Sequence, residues 1–368
     1  MTDRNFYSIQ ALRAFAAVIV MCFHFKSFIN QSFQGWGDRL FLNGDIGVDL
    51  FFVISGFIIY YITRDDNGGL TSAKLFFIKR FCRVFPPYFA ITLLVAGSSV
   101  ESWMQTATSL LFIPLDTTQI APWFGVAKLF VGWTLNYEFI FYTLFTLCML
   151  FKTRKNSVLF VIVALAVAIP AWLHNVAISP SNHYNYPGYL ATLTNSLMLE
   201  FLVGTFIGWL VVNKKITYGK GVSIALIVLS FALFLFILLT HYSKIGGLGY
   251  ILAAFALVFS LTNHEAQYAF WAPKPVLYTG KISFSLYLVH YRAKSLLSKA
   301  LHHNQSAWGG LMLFVLAVIL SFIFAVISHY LLEKKLSSLF RKYLLKKSLN
   351  RRMPSQDGIL PLHHIASR

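Results

Sequence analysis

Carboxylates are scarce in this chain. Thirteen Asp and Glu stand against 31 Lys and Arg, and charged residues of both signs make up only 12% of 368 positions. A soluble domain carries about 25%. With 57% hydrophobic residues, a soluble globular fold is excluded, because too little polar surface remains to cover the apolar side chains; the bilayer must act as solvent. Cysteine is nearly absent as well. Cys22, Cys82 and Cys148 are scattered without a CxxC pair, which excludes a zinc site or disulfide framework and leaves them as apolar packing residues. There is no glycine loop to cradle a phosphate, no metal-ligand spacing, no internal repeat and no alternating barrel pattern.

The apolar runs continue into the last quarter of the chain, so they are not a single signal peptide. Ten stretches approach the ~20 residues that a span needs: 8–29, 46–63, 84–100, 132–151, 157–173, 190–212, 221–240, 246–262, 276–297 and 308–332. The stretch 103–115 is apolar but short and ends at Pro114, which reads as an interfacial or re-entrant helix. The expectation is an all-α polytopic membrane protein, with about ten transmembrane helices around an internal cavity. Backbone groups in lipid must be satisfied within the segment.

The net charge of +18 sits in short loops and one tail rather than on a soluble face, so nucleic acid is not a partner. Arg64, Lys74, Lys79, Arg80 and Arg83 follow the second span; Lys152, Arg154 and Lys155 follow the fourth; the alternate loops are poor in basic residues. Both termini are therefore expected in the cytoplasm. Arg292, Lys294 and Lys299 then fall outside, in a cavity or at the outer headgroups. Residues 1–340 form the membrane domain in this reading, and 341–368 a basic cytoplasmic tail, disordered or lying on anionic lipid.

Ionisable residues inside spans cost about 2.5–3.5 kcal/mol each and usually face a cavity or a partner. Here they are Arg13, His24, Asp49, Glu138, Glu200 and His290. At ~100° and ~1.5 Å per residue, the eleven steps from Arg13 to His24 return to within about 20° of one helix face, roughly 16 Å apart. One face thus addresses two depths of a cavity. Counting residues from the span ends puts Glu138 and Asp49 at the level of His24. A carboxylate beside an imidazole fixes its tautomer and makes a general base for a hydroxyl. The alternative is a structural polar clasp between helices. Arg80 and Arg83, at i and i+3 before the third span, make a phosphate fork or merely set topology. Pro86 and Pro87 are expected to set that helix's entry. Ser55, beside Gly56, is an acyl-carrying nucleophile or a packing residue, and Glu200 precedes a Gly204/Gly208 packing pair. His290 lines the cavity or caps a polar network.

Six stretches in order carry a resemblance: "IQALRAFAAVIVMCFHF", "GVDLFFVISGFII", "KRFCRVFPPYF", "WTLNYEFIFY", "LEFLVG" and "ISFSLYLVHY". Together, over residues 9–291, they resemble the acyltransferase 3 family of membrane acyltransferases. The resemblance implies transfer of an acyl group, commonly acetyl, from cytoplasmic acyl-CoA to a sugar hydroxyl. The acceptor would be an envelope or exported glycan (O-antigen, exopolysaccharide or a lipid-linked precursor) at a bacterial inner membrane. Acetyl-CoA would be a donor substrate, with no tightly bound cofactor and no metal. The chain is expected to be of the stand-alone type, without an appended hydrolase-like domain. Arg13, Arg80 and Arg83 would hold the coenzyme A phosphates. His24, Glu138 and Asp49 would be catalytic, and His290, Ser55 and Trp133 would contact the acceptor. A transporter or glycan flippase is the competing reading, since it too buries ionisable residues.

Overall fold

A computed structural model of the chain describes residues 6–214, 216–240, 245–300 and 309–350; the expected tail beyond 350 lies outside them. Among the described residues every regular element is helical. The first three are α1 (Tyr7–Ser32), α2 (Trp36–Phe41) and α3 (Ile46–Thr63), followed by α4 (Leu70–Leu93) and α5 (Val100–Leu110). After a long segment come α6 (Trp133–Cys148), α7 (Lys155–Leu173), α8 (Tyr189–Leu193) and α9 (Met198–Trp209). The last five are α10 (Lys220–Leu239), α11 (Leu248–Gln267), α12 (Lys274–Ala300), α13 (Gly309–Ser328) and α14 (Ser337–Asn350).

Among the described residues, five segments are long and apolar enough to cross a membrane by length and composition: Tyr7–Ser32, Trp36–Thr63, Phe130–Leu173, Lys220–Leu239 and Gly309–Lys346. The chain is thus a multi-pass membrane protein. The other expected spans are also helical, but α4 and α12 carry several lysines and arginines and α9 has only 12 residues. The outer faces of α7, α10 and α13 present large apolar side chains such as Leu165, Leu229 and Ile323, as lipid contact requires.

α1 is the central strut. It packs against α2, α3, α11, α12 and α13. Its first turn has no side-chain cap of its own. Instead the buried Glu265 of α11 accepts the free Tyr7 and Ser8 N–H groups at 2.8 and 2.7 Å. Those donors have no intrahelical partner, and an anion at a helix N-terminus complements the dipole. α12 runs parallel to α1: Gln10 Nε2 donates to the Leu277 carbonyl, and His24 meets His290 further along. α3 runs antiparallel, with Gly47 against Ala16, Ile19 and Val20, and Phe57 beside Phe6.

α3 and α9 approach until their backbones touch. A Cβ on Gly204 would lie 1.9 Å from the Val53 carbonyl oxygen, and one on Gly56 2.0 Å from that of Phe201. Only glycine permits such an approach. The Gly204 packing role expected from sequence is therefore present, and Gly56, next to Ser55, is its counterpart.

Two boundaries differ from the sequence reading. The helix of the expected third span, 84–100, starts and ends earlier: α4 runs from Leu70 to Leu93, and Pro86 and Pro87 lie inside it rather than at its entry. Arg80 and Arg83 had marked this part as a loop, but they turn into an internal cavity, so the helix needs no unbroken apolar run. The expected tail boundary at 341 falls within α14, which packs on α4.

Candidate active site

A cavity lies between α1, α3, α4, α6 and α12. Arg13, Arg80 and Arg83 line its one end, with Glu138 and Tyr142 of α6 beside them and Ser55 of α3 on the wall. Thr134 of α6 and Tyr287 of α12 line it as well. Between the polar groups the wall is apolar, from Val48, Phe52 and Ile58 among others. The three arginines converge from two helices, and Glu138 is the sole acid in the lining. Guanidinium groups stay charged under all ordinary conditions, so this end attracts anions. Arg80 sits 5.8 Å from the Tyr142 ring centroid, a cation–π contact. The Tyr142 hydroxyl donates to the Glu138 carboxylate one turn back on the same helix.

At its arginine end the cavity meets a wider, more open mouth that shares Arg13, Arg80 and Arg83. The arginines are thus reached from the N-terminal end of α1, as the helical spacing predicts.

His24 lies further along α1, past Tyr287, and neither it nor His290 lines the cavity, so the single cavity expected to reach both Arg13 and His24 stops at Tyr287. Its Nδ1 is 3.0 Å from the Val20 carbonyl and 3.0 Å from Nε2 of His290. His290 is fully buried, and its own Nδ1 is 3.1 Å from the Leu286 carbonyl. A carbonyl only accepts, so Nδ1 carries the hydrogen in both rings. His290 Nε2 is then an acceptor, and it shares the single His24 Nδ1–H with the Val20 carbonyl. That leaves Nε2 of His24 with a free lone pair, the form a general base needs. The half-buried His24 ring is flanked by Phe130 at 5.8 Å and Tyr291 at 5.5 Å, which stack on each other at 4.3 Å. Between this pair and the arginine cavity stands Tyr287. Its ring is 5.8 Å from that of His290, and its hydroxyl lies 2.8 Å from Thr134 Oγ1 and donates to the Val131 carbonyl at 3.1 Å.

The expected partner of His24 was Glu138, and the structure pairs it differently: His290 orients His24, while Glu138 sits with Tyr142 at the arginine end. α6 begins deeper than a residue count implies. The segment before it is itself buried, through Phe112, Phe124 and Leu129, and Tyr137 donates to the Pro122 carbonyl at 2.9 Å. Thr134, not Glu138, therefore reaches the Tyr287 level. Asp49 is likewise not beside His24. It is fully buried, accepts the Gly246 N–H at 2.6 Å, and turns toward Glu200 of α9. Trp133 packs on Trp123 and Tyr137, at 6.4 and 6.0 Å between centroids. Arg13, Arg80, Arg83 and Ser55 are brought together in the cavity, and His290 joins His24.

Sequence reasoning missed Tyr142 and Tyr287. Each had a signal: Tyr142 is four residues after Glu138, and Tyr287 three before His290, so each shares a helix face with a singled-out polar residue.

Residues 6–330 match the model of a family described as an acyltransferase domain, the acyltransferase 3 family. The exopolysaccharide production protein ExoZ of Rhizobium meliloti is 31% identical over 277 residues, covering 71% of this chain and 80% of ExoZ. Acyltransferase MdmB of Streptomyces mycarofaciens is 24% identical, covering 77% and 78%. The peptidoglycan O-acetyltransferase OatA of Listeria monocytogenes is 24% identical over 89% of this chain, which spans only 55% of that protein. No solved structure matches the chain. With its family model matched over nearly its whole length, the chain belongs to the acyltransferase 3 family and is an acyltransferase, which sets the transporter reading aside.

Proposed function

We propose that this membrane protein transfers an acetyl group from acetyl-CoA to a hydroxyl of an exported or envelope polysaccharide, with His24 as general base. The observation that carries the reading is the two-histidine chain on the far side of an arginine-lined cavity, which leaves His24 Nε2 free to accept a proton. Arg13, Arg80 and Arg83 hold the pyrophosphate of the donor through charge-assisted hydrogen bonds. The apolar wall of the cavity suits the thioester arm, which passes Thr134 and Tyr287 to reach His24. His24 Nε2 takes the proton of the acceptor hydroxyl while that oxygen attacks the thioester carbonyl. The new C–O bond replaces the C–S bond, and the proton passes on to the departing thiolate. His290 stabilises the imidazolium by accepting its Nδ1–H. The stacked Phe130 and Tyr291 offer an apolar face beside His24 for a sugar ring.

The acceptor class is supported by the relatives: ExoZ is an exopolysaccharide production protein and OatA a peptidoglycan O-acetyltransferase. The arginine end faces the cytoplasm in this reading, as the loop charges indicate, within a bacterial inner membrane. Purified protein should release free thiol from acetyl-CoA when the host's exported glycan is added, and the glycan should gain acetyl mass. Thiol release without acetyl on any glycan would overturn the acceptor, and no release with any glycan the transfer itself.

A further inference from the structure

We propose that the wide mouth outside the arginine cluster is a second phosphate site, made for the ribose 3′-phosphate of coenzyme A and completed by α14. This rests on the reading of acyl-CoA as donor. The mouth carries seven Lys and Arg side chains. Arg13, Arg80 and Arg83 belong also to the inner cavity. Lys79, Lys281, Lys334 and Arg341 line the mouth alone, and they come from α4, from α12, from the π-helical turn after α13 and from α14. Like charges gathered from four elements around one space repel one another and persist where an anion is to be held. The mouth has one carboxylate, Glu333, and it is engaged: His329 Nδ1 lies 2.8 Å from its Oε2, and Ser285 Oγ donates to the same oxygen at 3.1 Å.

The inner arginines suffice for a pyrophosphate, which leaves the outer four cations without an anion. Coenzyme A has one more: a phosphomonoester on the ribose, away from the pantetheine arm, with a charge of about −1.5 to −2 at neutral pH. With the arm in the inner cavity and the pyrophosphate on Arg13, Arg80 and Arg83, the nucleotide end must lie in the mouth. α14 thus walls the donor site, and the reading of residues from 341 as a tail apart from the chemistry is revised up to residue 350. Such a site selects free coenzyme A thioesters over thioesters on a phosphopantetheine arm, which lack the 3′-phosphate.

The test compares acetyl-CoA with 3′-dephospho-acetyl-CoA on the purified full chain in zwitterionic lipid. KM for the dephospho donor should be about tenfold higher, the equivalent of ~1.4 kcal/mol. The double variant Lys334→Ala with Arg341→Ala should raise KM for acetyl-CoA by about the same factor and make the two donors alike. Equal KM values for both donors in the unaltered protein would overturn the proposal. So would a variant that weakens both equally, or one whose effect appears only in vesicles containing anionic phospholipid, which would assign the mouth to lipid headgroups. Calorimetric binding of coenzyme A against 3′-dephospho-coenzyme A gives the same comparison without turnover, and equal affinities overturn the proposal there too. If the acyl-CoA reading itself is at fault, the signature differs: neither thioester releases thiol and neither nucleotide binds.

Discussion

His290 Nε2 accepts the Nδ1–H of His24 at 3.0 Å, and the two rings stand on parallel helices, α12 and α1. The bond joins residues 266 positions apart. It converts a lone intramembrane histidine into an oriented one, with the tautomer fixed by the Val20 carbonyl rather than by a carboxylate.

His24→Ala removes the proposed base. Transfer should fall by about 10²–10⁴, the usual worth of a positioned acid–base group, while the affinity for acetyl-CoA stays near its original value because the arginines are untouched. The measurement is thiol release together with calorimetric donor binding. Activity within tenfold of the unaltered protein would rule out His24 as base.

His290 is a positioning residue in this scheme, acting through His24. A glutamine can present an amide oxygen in place of Nε2; a leucine cannot. His290→Gln should therefore keep substantially more kcat than His290→Leu, with KM for both substrates little changed in either. Two variants that are equally inactive although folded would mean that the ring serves some other purpose.

The site was legible in the sequence where one helix fixes the geometry. Arg13 and His24 fall on one face because rise and rotation per residue are constant, and the structure puts Arg13 in the cavity and His24 beyond it. Relations between helices were less legible. Depth counted along separate spans put Asp49, Glu138 and His24 at one level, but the buried segment over α6 sinks that helix's start, and Asp49 points to α9 and the Gly246 turn. The start of α4 was hidden because an arginine lowers hydropathy whether it faces lipid or a cavity, and only the neighbouring helices decide which.

Asp49 ties α3 to the turn before α11 through Gly246, and it faces Glu200 of α9 across the glycine-lined α3–α9 contact. Asparagine keeps an acceptor for the Gly246 N–H and gains a donor for Glu200. Alanine leaves the buried Gly246 N–H without its acceptor, which costs about 1–3 kcal/mol. In detergent melts Asp49→Ala should thus lower Tm clearly more than Asp49→Asn, and Asp49→Asn should retain most of the activity per folded molecule. A loss of turnover in folded Asp49→Asn as deep as that of His24→Ala would return Asp49 to the chemistry.

Gly204→Ala probes the same contact from the packing side. Its Cβ would sit 1.9 Å from a backbone oxygen of α3, which cannot turn aside as a side chain would. The helices must separate, and overpacking of this kind costs about 1–3 kcal/mol. Thermal melts should show a lower Tm. An unchanged Tm would mean that α3 and α9 pack less closely than they do here.

Glu138 separates the two ways of assembling the site. Beside His24 it would tune the base, and Glu138→Gln would reduce kcat with KM unaffected. It is instead placed among Arg13, Arg80 and Arg83 and bonded to Tyr142, whose ring also contacts Arg80. There the carboxylate anchors the Tyr142 ring on which Arg80 rests and offsets part of the mutual repulsion of the guanidinium groups. Glutamine preserves the shape but weakens that anchor, so Arg80 loses its ordered ring while the base is undisturbed. Glu138→Gln should therefore raise KM for acetyl-CoA several-fold and leave kcat at saturating donor within a few-fold of its starting value. Tyr142→Phe, which removes the hydroxyl bonded to Glu138, should shift KM in the same direction by less. A kcat defect in Glu138→Gln that matches His24→Ala, with donor KM constant, would show that the carboxylate reaches the imidazole during turnover, and the pairing with Tyr142 would then describe only the resting arrangement.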